Sequence, residues 1–243
     1  MGKNPSVSVV IPSYNRFEYL IKALDSVKQQ TFRNFEIIIV NDGSDDSRYY
    51  SHSFDKNIKI INLEENQKAI HGFGPGSIRN FGIDMAEGEY VSFLDDDDYW
   101  LPFKLEKQIA RLKDSNSKMS NSDALIGKGP YVLDQSYESF LYGYYYKKNK
   151  ELMFGKSFKY YFSKFRYPDK WDFKTIRRSN PIITSSVIIE TELLKYLGGF
   201  RNLPYAADLD CWKATLQFTT SEFIQEPLIY YDNSHADGRN YIK

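Results

Sequence analysis

Apolar residues over the first hundred positions alternate between short continuous runs and helical stripes. Ser6 to Ile11 is a β-branched run closed by Pro12, which predicts a buried strand. Tyr19, Leu20, Ala23, Leu24 and Val27 then recur at helical spacing. Phe35 to Val40 predicts a second buried strand, stopped by the turn signal Asn41-Asp42-Gly43-Ser44. Ile58 to Leu63 predicts a third strand. Ile78, Phe81, Ile83 and Met85 suit a short helix with Gly88 just past its end. Tyr90 to Leu94 predicts a fourth strand that leads directly into Asp95-Asp96-Asp97-Asp98. Pro102 then opens another helix, with Leu105, Ile109 and Leu112 on one face.

Strands alternating with helices predict an α/β fold with a mostly parallel central sheet and helices on both faces. Ligands of such sheets sit beyond the carboxyl ends of the strands. Three polar clusters fall at those ends: Pro12-Ser13-Tyr14-Asn15-Arg16, Asn41-Asp42-Gly43-Ser44, and Asp95 to Asp98. The second half is less regular. Residues 137 to 171 are dense in Tyr, Phe and Lys and read as amphipathic helix and loop. Pro181 to Ile189 predicts a strand, and Glu192 to Leu197 a short helix ended by Gly198-Gly199. Asp208 to Phe218 predicts a helix with Asp208 near its start, and Phe223 to Tyr231 a final strand. No repeat or low-complexity linker divides the chain, so a single domain over 1–243 is expected.

Composition narrows the function classes. The 243 residues carry 32 Lys plus Arg against 32 Asp plus Glu, so no net field draws the chain to nucleic acid or membrane. The lone Cys211 excludes an internal disulfide framework and fits a reducing compartment. The run Val7 to Ile11 is too short for a signal core, and no stretch approaches the ~18 apolar residues of a membrane span. The expected location is cytoplasmic, with peripheral membrane contact through clusters such as Tyr144-Tyr145-Tyr146-Lys147-Lys148 left open.

Four consecutive aspartates after an apolar strand are costly unless something neutralises them, because adjacent like charges repel. A hard divalent cation prefers oxygen ligands, and Mg²⁺ commonly combines one or two carboxylates with substrate phosphates. The plainer reading is a solvated acidic turn, with Asp98 capping the helix after Pro102. Asp42 is either a turn residue or a carboxylate accepting an imide N–H from a base such as uracil. Tyr14 is either a base-stacking ring or an ordinary half-buried aromatic. Arg79 follows Gly72, Gly74 and Gly76 and can pair with a phosphate bidentately, or form a surface salt bridge. No Gly-Lys-Ser or Gly-Lys-Thr follows those glycines, so they form no Walker loop.

In this order the clusters resemble the family 2 inverting glycosyltransferases with the GT-A fold. The matching text is Val7 to Arg16, Phe35 to Ser44, Arg79 to Ile83 and Gly88 to Asp98, a strong match over about 6–112. The resemblance implies that Pro12, Tyr14 and Asn15 line the nucleotide pocket, that Asp42 bonds the base and that Arg79 contacts the nucleotide. Asp95-Asp96-Asp97 matches the family's Asp-x-Asp signature, with Asp95 and Asp96 on the ribose and sugar side. Asp97 is implied to ligate Mn²⁺ or Mg²⁺ on the diphosphate, and His235 in the C-terminal tail to be a further metal or phosphate contact. Asp208-Leu209-Asp210 resembles the family's Glu-Asp segment. It implies a general base at Asp208, although Ala207 stands where the family has Glu and Asp210 is a rival.

The resemblance thus implies a metal-assisted transfer of sugar from a UDP-sugar to an acceptor hydroxyl on a glycan, protein or lipid-linked molecule. Residues 1–112 would hold the nucleotide and 113–243 the acceptor. The aromatic-rich segment would be a sugar platform, core, or a homodimer surface. Nucleotidyl transfer and a non-catalytic binding module are the alternatives.

Overall fold

The computed structural model describes residues 5–72, 76–145, 166–177 and 180–234. The first half forms β1 (Val7–Ser13), α1 (Phe17–Lys28), β2 (Phe35–Asn41), α2 (Arg48–Ser51), β3 (Ile58–Asn62), α3 (Gln67–His71), α4 (Ile78–Met85) and β4 (Tyr90–Phe93). All seven residues of β1 are buried, as a strand covered on both faces requires. β1 pairs in parallel with β2 on one side and β4 on the other, and β3 lies beyond β2. The path therefore runs outward from β1 to β3 and then returns across β1 to β4. Right-handed crossovers in opposite directions put α1 and α4 on opposite faces. The reversal opens a crevice at the carboxyl ends of β1 and β4, where doubly wound sheets bind ligands. α4 lies very close to β1: a Cβ on Gly82 would come within 2.4 Å of a Val10 methyl.

The second half extends the same sheet with β5 (Tyr99–Trp100), β6 (Met119–Gly127), β7 (Glu138–Ser139), β8 (Lys170–Trp171), β9 (Ile188–Glu190) and β10 (Ser221–Asp232). The order is β3-β2-β1-β4-β9-β6-β10-β5, with β7 on β6 and β8 on β10. β9 runs antiparallel to both β4 and β6, while β6 and β10 are parallel. The helices of this half are α5 (Lys104–Lys113), α6 (Phe173–Ile176), α7 (Thr191–Tyr196) and α8 (Ala207–Thr215).

Several expectations need correction. The strand expected from Pro181 is only Ile188–Glu190, because Thr184–Ser186 forms a 3₁₀ turn. The helix after Pro102 starts at Lys104, and its N-cap is Phe103 with no side-chain cap, so Asp98 does not cap it. Of the stretch 137 to 171, the part through Tyr145 is a two-residue strand and a π-helical turn over Phe140–Tyr145 where amphipathic helix and loop are expected, and 146 to 165 lie outside the described residues. Phe140, Tyr145, Tyr167 and Trp171 are core residues. β6 was not anticipated. Its Ser120, Asn121, Ser122 and Asp123 are all buried, so no apolar run marks it. Partners make that burial tolerable: Ser221 donates to Asn121 Oδ1 at 2.7 Å, and the Leu141 N–H donates to Asp123 at 3.0 Å.

Candidate active site

The loop after β4 is the centre of the site. Its backbone closes a turn, the Asp98 N–H donating to the Asp95 carbonyl at 3.0 Å. Trp100 then anchors the outgoing chain, its N–H donating to Ser26 Oγ of α1 and its indole to the Ser185 carbonyl. The turn aims four identical side chains into four environments.

Asp96 points down into the crevice and is 1% exposed. Ser13 at the end of β1 donates to its Oδ2 at 2.7 Å, and Arg16 Nη1 to its Oδ1 at 3.3 Å. Burial, reinforced by the charge of Asp97, pushes its carboxyl up to about 7. Asp97, whose side chain is 14% exposed, accepts from the same Arg16 nitrogen at 2.8 Å. Asp95 lies on the other flank, paired with Arg79 of α4. Burial raises the Asp95 carboxyl, Arg79 opposes this, and the charges of Asp97 and Asp208 push it up further. Asp98 is a staple. It accepts from Ser185 Oγ and from the Asp232 N–H at 3.0 Å, fastening the loop to the 3₁₀ turn and β10.

Arg79 is 5% exposed, and its guanidinium carbon lies 5.6 Å from the centre of the Phe200 ring. It is therefore not a surface ion pair. Asp208 sits in the first turn of α8 and accepts from Asn180 Nδ2 at 2.7 Å. Its rival Asp210 is clamped by Arg201 through both carboxylate oxygens. The turn before α8 brings Ala206 to a φ of 55° and presses Ala207 close to Gly76, where an added Cβ would lie 2.7 Å from the Ala207 methyl. The position where the resemblance expects Glu is thus closely packed.

On the nucleotide side, Pro12 lies within buried β1 and Tyr14 is half-buried. Asn15 is exposed, and its φ of 51° is one that Asn tolerates. Its side-chain oxygen accepts from the Asp45 N–H at 2.9 Å, so it shapes the loop after β2. Asp42 is fully buried. The Gln67 N–H donates to its Oδ1 and Asn66 Nδ2 to its Oδ2, each at 2.8 Å. Burial pushes its carboxyl up to about 6. Gly43 makes this closure feasible: at φ 67° it lets the Glu65 backbone approach where a Cβ would stand 2.6 Å away. A cavity of about 190 Å³ borders Asp96 and Asp97, walled by Tyr19, Lys22, Tyr99 and Tyr131. His235 lies outside the described residues.

The structure thus brings Asp95, Asp96, Asp97, Arg79 and Asp208 to one mouth. Arg16, Asn66, Asn180 and Ser185 also support this site, with no role expected of them from the sequence. Arg16 has a signal, because it closes the first polar cluster; Asn66 and Asn180 lie in stretches that carry no pattern, and Ser185 lies in one that reads as strand.

These donors fit a hard cation. Asp97 offers carboxylate oxygen, and a positive group already lies against it. Among the described residues no group of three or more His, Cys, Asp or Glu is arranged around a metal position. An ion here would complete its shell with water and phosphate, as Mg²⁺ commonly does.

Residues 8–169 match the profile of glycosyl transferase family 2. An uncharacterized glycosyltransferase of Rickettsia typhi is 32% identical over 232 residues, 93% of this chain and 63% of the relative. The chain thus spans less than two thirds of that relative. The amylovoran biosynthesis glycosyltransferase of Erwinia amylovora is 40% identical over 114 residues, covering 46% of this chain and 37% of its own. Among solved structures, S. aureus TarS 1–349 in complex with UDP superposes with a TM-score of 0.66 at 23% identity, over 97% of this chain and 63% of that one. A Pyrobaculum calidifontis mannosyltransferase gives 0.63 at 18% identity, over 96% and 60%. These likenesses bear out the GT-A architecture. With its matching segment running from the first strand past the aspartate loop, the chain belongs to glycosyl transferase family 2.

Proposed function

We propose that this chain transfers a sugar from a nucleotide sugar, a UDP-sugar in the first instance, to an acceptor hydroxyl with inversion at the anomeric carbon. The observation that carries the reading is the convergence of Asp95 to Asp97 with Arg16, Arg79 and Asp208 at the β1–β4 crevice. In this reading residues 1–112 hold the donor and 113–243 the acceptor, which is a glycan, a protein or a lipid-linked molecule.

The roles follow from chemistry. Asp42 accepts the imide N–H of the base, Pro12 and Tyr14 line its pocket, and Asn15 holds the adjoining loop. Asp96 faces the ribose and Asp95 the sugar, with Arg79 fixing Asp95. Asp97 holds Mn²⁺ or Mg²⁺, and His235 is a further contact from the tail. The cation, when bound, offsets the charge that develops on the leaving diphosphate. Asp208 takes the acceptor proton, which a positioned carboxylate does for a gain of about 10²–10⁴ in rate. Asn180 donates to one of its oxygens, and the other remains an acceptor for the substrate proton. Asp210 is less suited, because Arg201 spans both of its oxygens. One base suffices for direct displacement, and no covalent intermediate is needed.

The similar structures supply the starting panel. TarS was crystallised with UDP and with UDP-GlcNAc, and the mannosyltransferase with GDP-Man and Mn²⁺. Incubation of the protein with UDP- and GDP-sugars and Mn²⁺ should release sugar from one donor class. Release of pyrophosphate from a nucleoside triphosphate and a sugar phosphate would instead identify nucleotidyl transfer. Saturable nucleotide binding without either product would identify a binding module.

A further inference from the structure

Arg16 touches both Asp96 and Asp97 through a single nitrogen, at 3.3 and 2.8 Å. All three side chains are largely shielded, with 12%, 0% and 14% of their surface exposed. Two adjacent carboxylates in such a place require a positive partner. A guanidinium supplies it at any ordinary pH, because it does not deprotonate. The backbone of Arg16 is tied down: its N–H donates to Tyr49 Oη at 3.0 Å, and the Tyr49 hydroxyl is bonded to Ser13, which holds Asp96. The tie fixes where the side chain starts, and the pairs with Asp96 and Asp97 set where it ends in this state. The guanidinium lies 6.0 Å from the centre of the Tyr19 ring, which walls the cavity beside Asp97. An aromatic face beside the carboxylates offers a cation a second resting place.

We propose that Arg16 and a divalent cation hold Asp97 in alternation, the guanidinium in the nucleotide-free protein and the cation in the donor complex. This rests on the reading of Asp97 as the metal ligand. Were Asp97 to hold a divalent ion, the guanidinium would be repelled from that carboxylate and could swing toward Tyr19, and a guanidinium so released could pair bidentately with a diphosphate. Two consequences follow. Free cation binds the empty protein weakly, because it must displace an internal competitor. Nucleotide and cation strengthen each other's binding by equal factors, because the anion draws away the group that blocks the cation.

The test is Mn²⁺ titration of the full chain, by calorimetry or by the paramagnetic signal of free Mn²⁺, with and without saturating UDP. Arg16→Met keeps the apolar stem against Tyr19 and removes the charge. It should bind Mn²⁺ about tenfold more tightly than the unaltered protein when UDP is absent, and UDP should then improve Mn²⁺ affinity much less. Arg16→Lys, which keeps a point charge but loses the planar fork, should fall between the two and guards against a folding defect in the first variant. Unchanged or weaker Mn²⁺ binding by Arg16→Met without UDP overturns the alternation and makes Arg16 a simple support for Asp97. An Asp97→Asn variant that binds Mn²⁺ normally overturns the metal reading itself, a separate failure with a separate signature.

Discussion

The two flanks of the aspartate loop are built from the same parts and arranged to opposite ends. On the α1 side one arginine serves two carboxylates, Asp96 and Asp97, and all the supports come from β1 and its neighbours. On the α4 side Arg79 serves one carboxylate, Asp95, and the next acidic group, Asp208, arrives from a helix over a hundred residues away in the chain. In the first flank one guanidinium nitrogen is divided between two carboxylates, so neither pair is bidentate. The second is rigid, because its arginine is buried against Phe200. Identical side chains thus acquire different chemistry from the direction in which a four-residue turn points them.

The comparison breaks most sharply at Asp208. Asp208→Asn should lower kcat by about 10²–10⁴ while leaving UDP affinity intact. Asp210→Asn, which only removes an exposed pair with Arg201, should change the rate less than about twofold. Reversed outcomes would move the base one half-turn along the helix. At the opposite flank, Asp97→Ala should weaken UDP binding in Mn²⁺ on the order of a hundredfold, and calorimetry should show that loss only when the metal is present. Rigidity of the Arg79 flank is checked by Arg79→Leu. It leaves Asp95 without its guanidinium and should cost roughly 3 kcal/mol in denaturant unfolding, the scale for breaking a shielded pair. A change below about 1 kcal/mol would show that flank to be no stiffer than the other.

The smallest effect tests a group outside both flanks. Burial raises Asp42 from the usual carboxylate value of 3.8 to about 6, so folding favours its protonated form. Its contribution to the stability of the nucleotide-free protein is therefore most favourable below the usual carboxylate range and is lost as pH rises through about 6. Nucleotide binding should follow the opposite sense, because only the carboxylate accepts the imide proton. UDP affinity should fall as pH drops below about 6, and Asp42→Asn should flatten that profile.

Much of the first flank was legible in the chain. β1, β2 and β4 are continuous apolar runs, and a parallel sheet brings their carboxyl ends together wherever they stand in sequence. Asp96 and Asp97 were therefore located by connectivity. The second flank was less readable because its supports follow no rhythm. Ser185 lies in a stretch that reads as strand, yet the chain turns there so that one hydroxyl can accept from the Asp95 N–H and donate to Asp98. β6 hides for a related reason: Asp123 and the Asn121 side-chain oxygen accept from Ser139 and Ser221, partners that only the tertiary fold supplies. Asn66 is similar, since nothing near it in sequence announces that it will close over Asp42.

The contact between Gly82 and Val10 has a consequence for how such a fold can diversify. With only the Val10 side chain between Gly82 and the strand, α4 sits close against the sheet, and Arg79 shares a frame with Ser13 and Asp96. Any larger residue at position 82 would act as a lever, prising the arginine away from Asp95 without touching either. The aspartate loop is thereby insulated from drift elsewhere. Distant loops can be exchanged or lengthened while the glycine keeps Arg79 and Asp95 in register.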